Sequence, residues 1–322
     1  ALRWVEHAAS RAAAARHPVR AARRTVPAPH ERFLWDTGFH FGEWLEPGVP
    51  PRPDPGADHG IVATAYLHRS ALLVARAARV LGRPDVDERC SAIAAGAREA
   101  WRREYLGEDG RLTEESQANY VRALAFDLVP ARLRPATAGR LVELVRAAGT
   151  HLGTGFLATG MLLPVLADTG HGDVAYELLL DEGDPSWLGM LAAGATTVWE
   201  WWDGISADGT ARGSLNHYSK GAVASFLHTH VAGLRLPAFP GPDEAGYRRV
   251  RIAPVPTSRL TAAHTRQDTR AGRFEVSWST AGGTFVLEAV LPPGTAADVE
   301  LPDGTTCRVG GGTHRFRCAA PG

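Results

Sequence analysis

A chain of 322 residues, 44% hydrophobic and 22% charged, has ordinary globular composition and is long enough for one large domain plus a small one. Thirty-five basic residues balance thirty-five acidic ones, so no global field draws the chain to nucleic acid or an anionic membrane, and a neutral small molecule or sugar fits that balance better. No apolar run approaches the roughly 20 residues needed to cross a bilayer.

The opening ALRWVEHAASRAAAARHPVRAARR is basic and Ala-rich without an apolar signal core, and predicts an amphipathic helix. Ala1 in the first position points to processing or, more in keeping with the rest, to a chain cut from a longer one; the compartment stays open, with the cytoplasm slightly favoured over secretion. Next comes WDTGFHFGEWLEPG, a glycine-punctuated stretch carrying Trp35, Asp36, His40, Glu43, Trp44 and Glu46. Loops held on a rigid scaffold are where binding residues concentrate, although these aromatics could equally plug the end of a barrel.

From about residue 57 to 233 the apolar residues recur at helical spacing. Helices are predicted over 64–82, 85–106, 115–129, 136–149, 161–170, 172–181 and 216–234, with breakers such as GRPD between them. Antiparallel pairs with alternately short and long loops suit an α/α toroid. A six-pair toroid needs twelve helices and eight or nine can be placed, so part of the barrel is expected upstream of Ala1. Around Pro237 the composition turns breaker-rich, and GRFEVSWST, GGTFVLEAVLPPG and AADVELPDGTTCRVGGGTHRFRC alternate as strands do. The expectation is a mainly α protein: an N-terminally incomplete (α/α)6 toroid over 1–236, then a linker and a small antiparallel β-sandwich over 237–322, with no parallel pairing. The GGG at 310–312 is read as a hairpin turn that sets Cys307 opposite roughly residue 315. Cys90, Cys307 and Cys318 then read as free thiols.

The chemistry concentrates in three patches, WDTGFHFGEWLEPG, GATTVWEWWDG and SLNHYSKGAV, with PSWLG and HLGTGFLATG beside them. GATTVWEWWDG sets Trp199, Glu200, Trp201, Trp202 and Asp203 in succession; indole faces are platforms for the C–H face of a sugar, and a carboxylate beside them accepts hydroxyl protons or activates water. Core-filling tryptophans with Asp203 as a cap are the competing reading. SLNHYSKGAV places Asn216, His217 and Tyr218 at a helix entry close behind Glu200, and PSWLG places Trp187 just ahead of it. HLGTGFLATG forms a Gly- and Thr-rich turn into the helix of 161–170. No nucleotide loop, HExxH or CxxC occurs, so neither cofactor nor metal is expected.

The ordered set GEWLEPG, TGFLATG, PSWLG, GATTVWEWWDG, SLNHYSKGAV and RIAPVP resembles the α-L-rhamnosidases of glycoside hydrolase family 78, from about residue 35 to the end. The resemblance implies inverting hydrolysis of terminal α-L-rhamnosyl residues from glycosides or polysaccharides, with a rhamnose-containing carbohydrate as partner. It implies Glu200 as the general base, His217 as a rhamnose contact and Trp44 as the apolar wall. Glu43 stands where the family often has Asp, and Trp201 where a basic residue is frequent. Trp187, Trp199, Asp203 and Asn216 complete the expected binding set. The family's general-acid motif has no counterpart between Ala1 and Trp35; HERFLWDTG echoes it in the wrong place, so neither Glu31 nor Asp36 takes that role and the acid is expected upstream. A noncatalytic rhamnose-binding remnant and another toroidal glycosidase are the alternatives.

Overall fold

The computed structural model describes residues 1–320 except 50–53, 55, 207, 238, 242 and 243. Helix α1 (Leu2–Ala14) buries Val5, Ala8 and Ala12, three and four residues apart, against the α3–α4 hairpin described next. The opening segment is two helices rather than one. Pro18 has no amide proton and its ring excludes the carbonyl four residues back, so the helix stops and α2 (Pro18–Arg23) restarts with Pro18 in its first position.

Helices α3 (Gly60–Val80) and α4 (Pro84–Tyr105) form a long hairpin through Gly82, whose φ of +64° suits glycine. Pro84 opens α4, with Asp85 and Asp87 at the positive end of the helix dipole. Two more hairpins follow, α5 (Gln117–Ala125) with α6 (Arg134–Ala147) and α7 (Thr159–Asp168) with α8 (Gly172–Leu179). Helices α3, α5 and α7 pack on one another in sequence, whereas α4, α6 and α8 lie chiefly against their own partners. That inner and outer layering is the toroidal arrangement the helical spacing predicts. After α9 (Trp187–Ala192) the chain returns through α10 (Tyr218–Gly221) and α11 (Val223–Phe226) onto α7. The single helix expected over 216–234 is broken here. Its last part is a π turn over Leu227–Val231, in which His228 turns to Thr265 and His230 to Asp168.

Six strands follow: β1 (Leu234–Arg235), β2 (Arg249–Ile252), β3 (Ala262–Thr269), β4 (Gly272–Ala281), β5 (Thr284–Glu300) and β6 (Thr306–Ala319). They make one sheet in the order β1-β2-β5-β4-β3, with β6 also on β5. Gly282 and Gly283, at φ +54° and +72°, close the β4–β5 hairpin in the conformation that two-residue hairpin loops require.

Two features differ from the expected antiparallel sandwich. The β2–β5 pair is parallel, because a long connection carries the chain from β2 through β3 and β4 before β5 returns beside it. The sheet is also continuous, since Pro292-Pro293-Gly294 is no inter-strand turn but a register shift inside β5 between Leu291 and Ala296. The triple glycine lies within β6 opposite that shift. A Cβ on Gly311 would come within 2.6 Å of the Pro292 carbonyl oxygen, so close backbone approach explains the glycine where a turn was expected. Cys307 accordingly faces Val299, Cys318 faces Phe285, and all three cysteines are free. Both ends of the sheet feed one core, in which Val250 and Ile252 join Phe274, Val276, Trp278, Phe285 and Leu287. Among the described residues, no helix is long and apolar enough to cross a membrane.

Candidate active site

Three loops meet at the mouth of the helical layer. The first, residues 35–49, docks on the second, residues 151–158, through backbone contact: the Phe156 amide donates to the Trp44 carbonyl at 2.7 Å. Leu45 adopts φ +56°, a strained value for a leucine, and Gly155 approaches so closely that a Cβ there would lie 2.1 Å from the Trp44 oxygen. Glu43 locks the junction. Its Oε1 accepts from the Leu157 and Ala158 amides at 3.1 and 3.0 Å, and its Oε2 pairs with the buried guanidinium of Arg122 on α5. Burial pushes the Glu43 carboxyl up, while Arg122 and the amides pull it back. With both oxygens engaged, Glu43 holds the two loops together.

The third loop is a two-stranded ribbon that merges two of the sequence patches. The Glu200 amide donates to the Ser214 carbonyl and the Ser214 amide to Glu200 Oε2, both at 2.8 Å, while the His217 amide donates to the Val198 carbonyl at 2.8 Å. His217 caps α10 through Nδ1 and lies against Phe156, ring centroids 4.6 Å apart, with Tyr218 stacked beside it. Phe156 therefore touches both the Trp44 loop and the His217 end of the ribbon. Trp44, Phe156, Tyr218, Tyr66 and Trp35 line a cavity of about 480 Å3, with Phe41 exposed at its rim.

Of the other expected residues, Asp203 is exposed and paired with Arg212, and Asn216 is exposed. Both stand on the ribbon. Trp187 and Trp199, expected at the sugar, are core residues at 7% and 4% exposure. The Trp187 Nε1–H donates to the Lys220 carbonyl at 3.0 Å, and Trp199 packs so tightly on Gly204 that a Cβ there would clash with the ring. Their indole faces serve the fold because the ribbon needs an apolar floor. Glu31 and Asp36 are almost fully buried, Glu31 between Arg16 and Arg24 and Asp36 against Arg20 at 2.7 Å, which leaves neither free to protonate a leaving group.

Sequence reasoning passed over Phe156, Arg122, Tyr66 and Lys220. Lys220 lies in SLNHYSKGAV and Phe156 in TGFLATG, both quoted as motifs, whereas Arg122 and Tyr66 carry no local signal. Glu46, named in its patch but given no role, lines a second cavity of about 440 Å3 with Trp201, Trp202, Asp203 and Arg212. Burial first, then the Glu43 charge, push its carboxyl up to about 7. Another cavity, of about 970 Å3, lies away from Glu200 at the junction of helices and sheet. Its ion pairs, Arg235 with Asp168 and Arg251 with Glu300, are closed, leaving no free charge aimed at a ligand.

Comparison with known proteins adds an independent line. Residues 20–231 match the family described as bacterial alpha-L-rhamnosidase 6 hairpin glycosidase domain, and residues 233–316 the bacterial alpha-L-rhamnosidase C-terminal domain. An alpha-L-rhamnosidase of Streptomyces avermitilis is 38% identical over 302 residues, covering 86% of this chain and 28% of that protein. One from Formosa agariphila is 35% identical over 269 residues, covering 81% and 28%. The chain thus spans 28% of the length of these curated relatives. The crystal structure of the Streptomyces avermitilis enzyme complexed with L-rhamnose superposes with a TM-score of 0.80 at 34% identity over 98% of this chain and 30% of that one. That of the Aspergillus terreus enzyme gives 0.81 at 32% identity over 92% and 35%.

Proposed function

From the premise that the chain belongs to the bacterial α-L-rhamnosidase family, we propose that it acts in the hydrolysis of terminal α-L-rhamnosyl residues, with inversion at the anomeric carbon. Inversion needs a carboxylate that activates water on the face opposite the leaving oxygen, and a carboxylic acid across from it. Glu200 is the base in this reading. The observation that carries it is the fixation of Glu200 on a ribbon whose other end, His217, packs through Phe156 onto the Trp44 loop. In this reading a base, a hydroxyl-contacting ring nitrogen and an apolar wall address one small sugar; Trp44 lines the cavity of about 480 Å3, whose lining includes neither Glu200 nor His217. The described residues support the base and binding side of the reaction.

The test is paired. Glu200→Gln keeps the Ser214 contact through its amide oxygen but cannot take a proton. In a protein that also supplies the general acid, turnover of a chromogenic α-L-rhamnoside is expected to fall by about 10²–10⁴-fold, with L-rhamnose still quenching or shifting tryptophan emission. In proton NMR of the wild-type reaction, the β-anomer is the expected first product. An α-anomer first, or undiminished turnover by Glu200→Gln, removes Glu200 from the base role; binding without turnover in the wild type supports the sugar-binding reading instead.

A further inference from the structure

Lys220 is a cation in a place that disfavours cations. Its side chain is 0% exposed, on α10 three residues beyond His217, and burial pushes its ammonium down to about 8. A lysine there is retained against desolvation only if something in the fold uses it. Its Nζ donates to the backbone carbonyl of Glu200. The remaining protons meet π faces: Nζ lies 5.0 Å from the centroid of Trp202 and 5.1 Å from that of Phe156. The Lys220 carbonyl in turn accepts from Trp187 Nε1–H at 3.0 Å, which fastens the root of the side chain to the core.

We propose that Lys220 is a positioning residue for the base: it clamps the Glu200 peptide, and through its contacts with Phe156 and Trp202 it ties the ribbon to the Trp44 loop. The inference rests on the reading of Glu200 as base and extends it to a group that never touches substrate. Among the described residues, the other hydrogen bonds of Glu200 are the two with Ser214, which run along the ribbon. Among the described residues, Lys220 makes the hydrogen bond that ties the Glu200 main chain across the ribbon to a helix, and a displacement of about 1 Å in such a group can cost on the order of 10²-fold in rate.

Lys220→Met is the test, since methionine fills the same volume without a donor or a charge. Hydrolysis of a chromogenic rhamnoside is expected to lose about 10- to 100-fold in kcat with KM little changed. Amide exchange at Glu200 and Ser214 is expected to quicken by about tenfold or more, while the amides of the α3–α4 hairpin keep their wild-type rates. A general loss of stability would instead quicken both regions together, and that result overturns the proposal. So do wild-type exchange rates at Glu200 and Ser214 in the variant, a readout independent of turnover. Glu200→Gln run beside it separates the two readings: if that variant keeps full activity the base assignment fails, whereas an inactive Glu200→Gln with a wild-type Lys220→Met overturns the clamp alone.

Discussion

At Glu46 a carboxyl sits where ionisation is disfavoured. Burial and the neighbouring Glu43 raise it from 4.5 to about 7, with Arg122 opposing, and Asp184, Asp203 and Arg212 share its cavity. The folded chain therefore holds this proton longer than the unfolded chain does. The contribution to stability is full below about pH 4.5, is lost as the pH rises toward about 7, and stays lost above it. Screening at the open side of the cavity limits the loss to on the order of 1–3 kcal/mol. Glu46→Gln removes the titration: its melting temperature is expected to exceed that of the wild type at pH 8 and to match it near pH 4. Equal melting curves at both pH values would show that Glu46 ionises freely. The two aromatic-acid patches and the Asn-His-Tyr patch were visible as sequence because Trp and His in clusters are rare. The partners that give each residue its role, Arg122 for Glu43 and Phe156 for His217, lie 79 and 61 residues away, and nothing local in the sequence pairs them.

At the scale of elements, the α3–α4, α5–α6 and α7–α8 hairpins follow directly from helical periodicity and from breakers at their turns. The loops between them do not. Loop 35–49 has no helix of its own to hold Trp44, and is shaped by contact with Gly155. Gly155→Ala brings a methyl into the Trp44 carbonyl, so the two loops must separate. Such overpacking costs about 1–3 kcal/mol. The expected result is a weakened rhamnose response in tryptophan fluorescence with helical circular dichroism unchanged, whereas unaltered binding would show that the loops do not need this contact. The β5 bulge teaches the same lesson. A Pro-Pro-Gly run reads as a turn, yet Thr295 Oγ1 donates to the Pro292 carbonyl at 2.7 Å and the strand continues past it, because β6 offers glycines where the bulged backbone crowds it.

Across the whole molecule the helical layer and the sheet are joined through buried polar contacts. Trp278 of β4 donates its indole N–H to the Val231 carbonyl at 2.7 Å, His228 meets Thr265 at 2.6 Å, and the Val255 amide donates to the His230 carbonyl at 2.8 Å. Trp278→Phe keeps most of the apolar volume and leaves the Val231 carbonyl without that donor. A loss of about 1–3 kcal/mol is expected in urea unfolding. Coincident midpoints for helical ellipticity and tryptophan emission would place the contact in a shared cooperative unit, while an early loss of the sheet alone would show that the halves unfold apart. The sequence by itself determined the class of each half, the order of the helices and the aromatic-acid character of the site, because periodicity, breakers and rare residue types are written within a few neighbouring positions. Only the tertiary structure decided that the sheet is continuous with one parallel pair, that Trp187 and Trp199 face the core, and that Lys220 clamps Glu200. Each of those depends on which distant backbone comes within hydrogen-bond reach, and that is set by the packing of the whole chain.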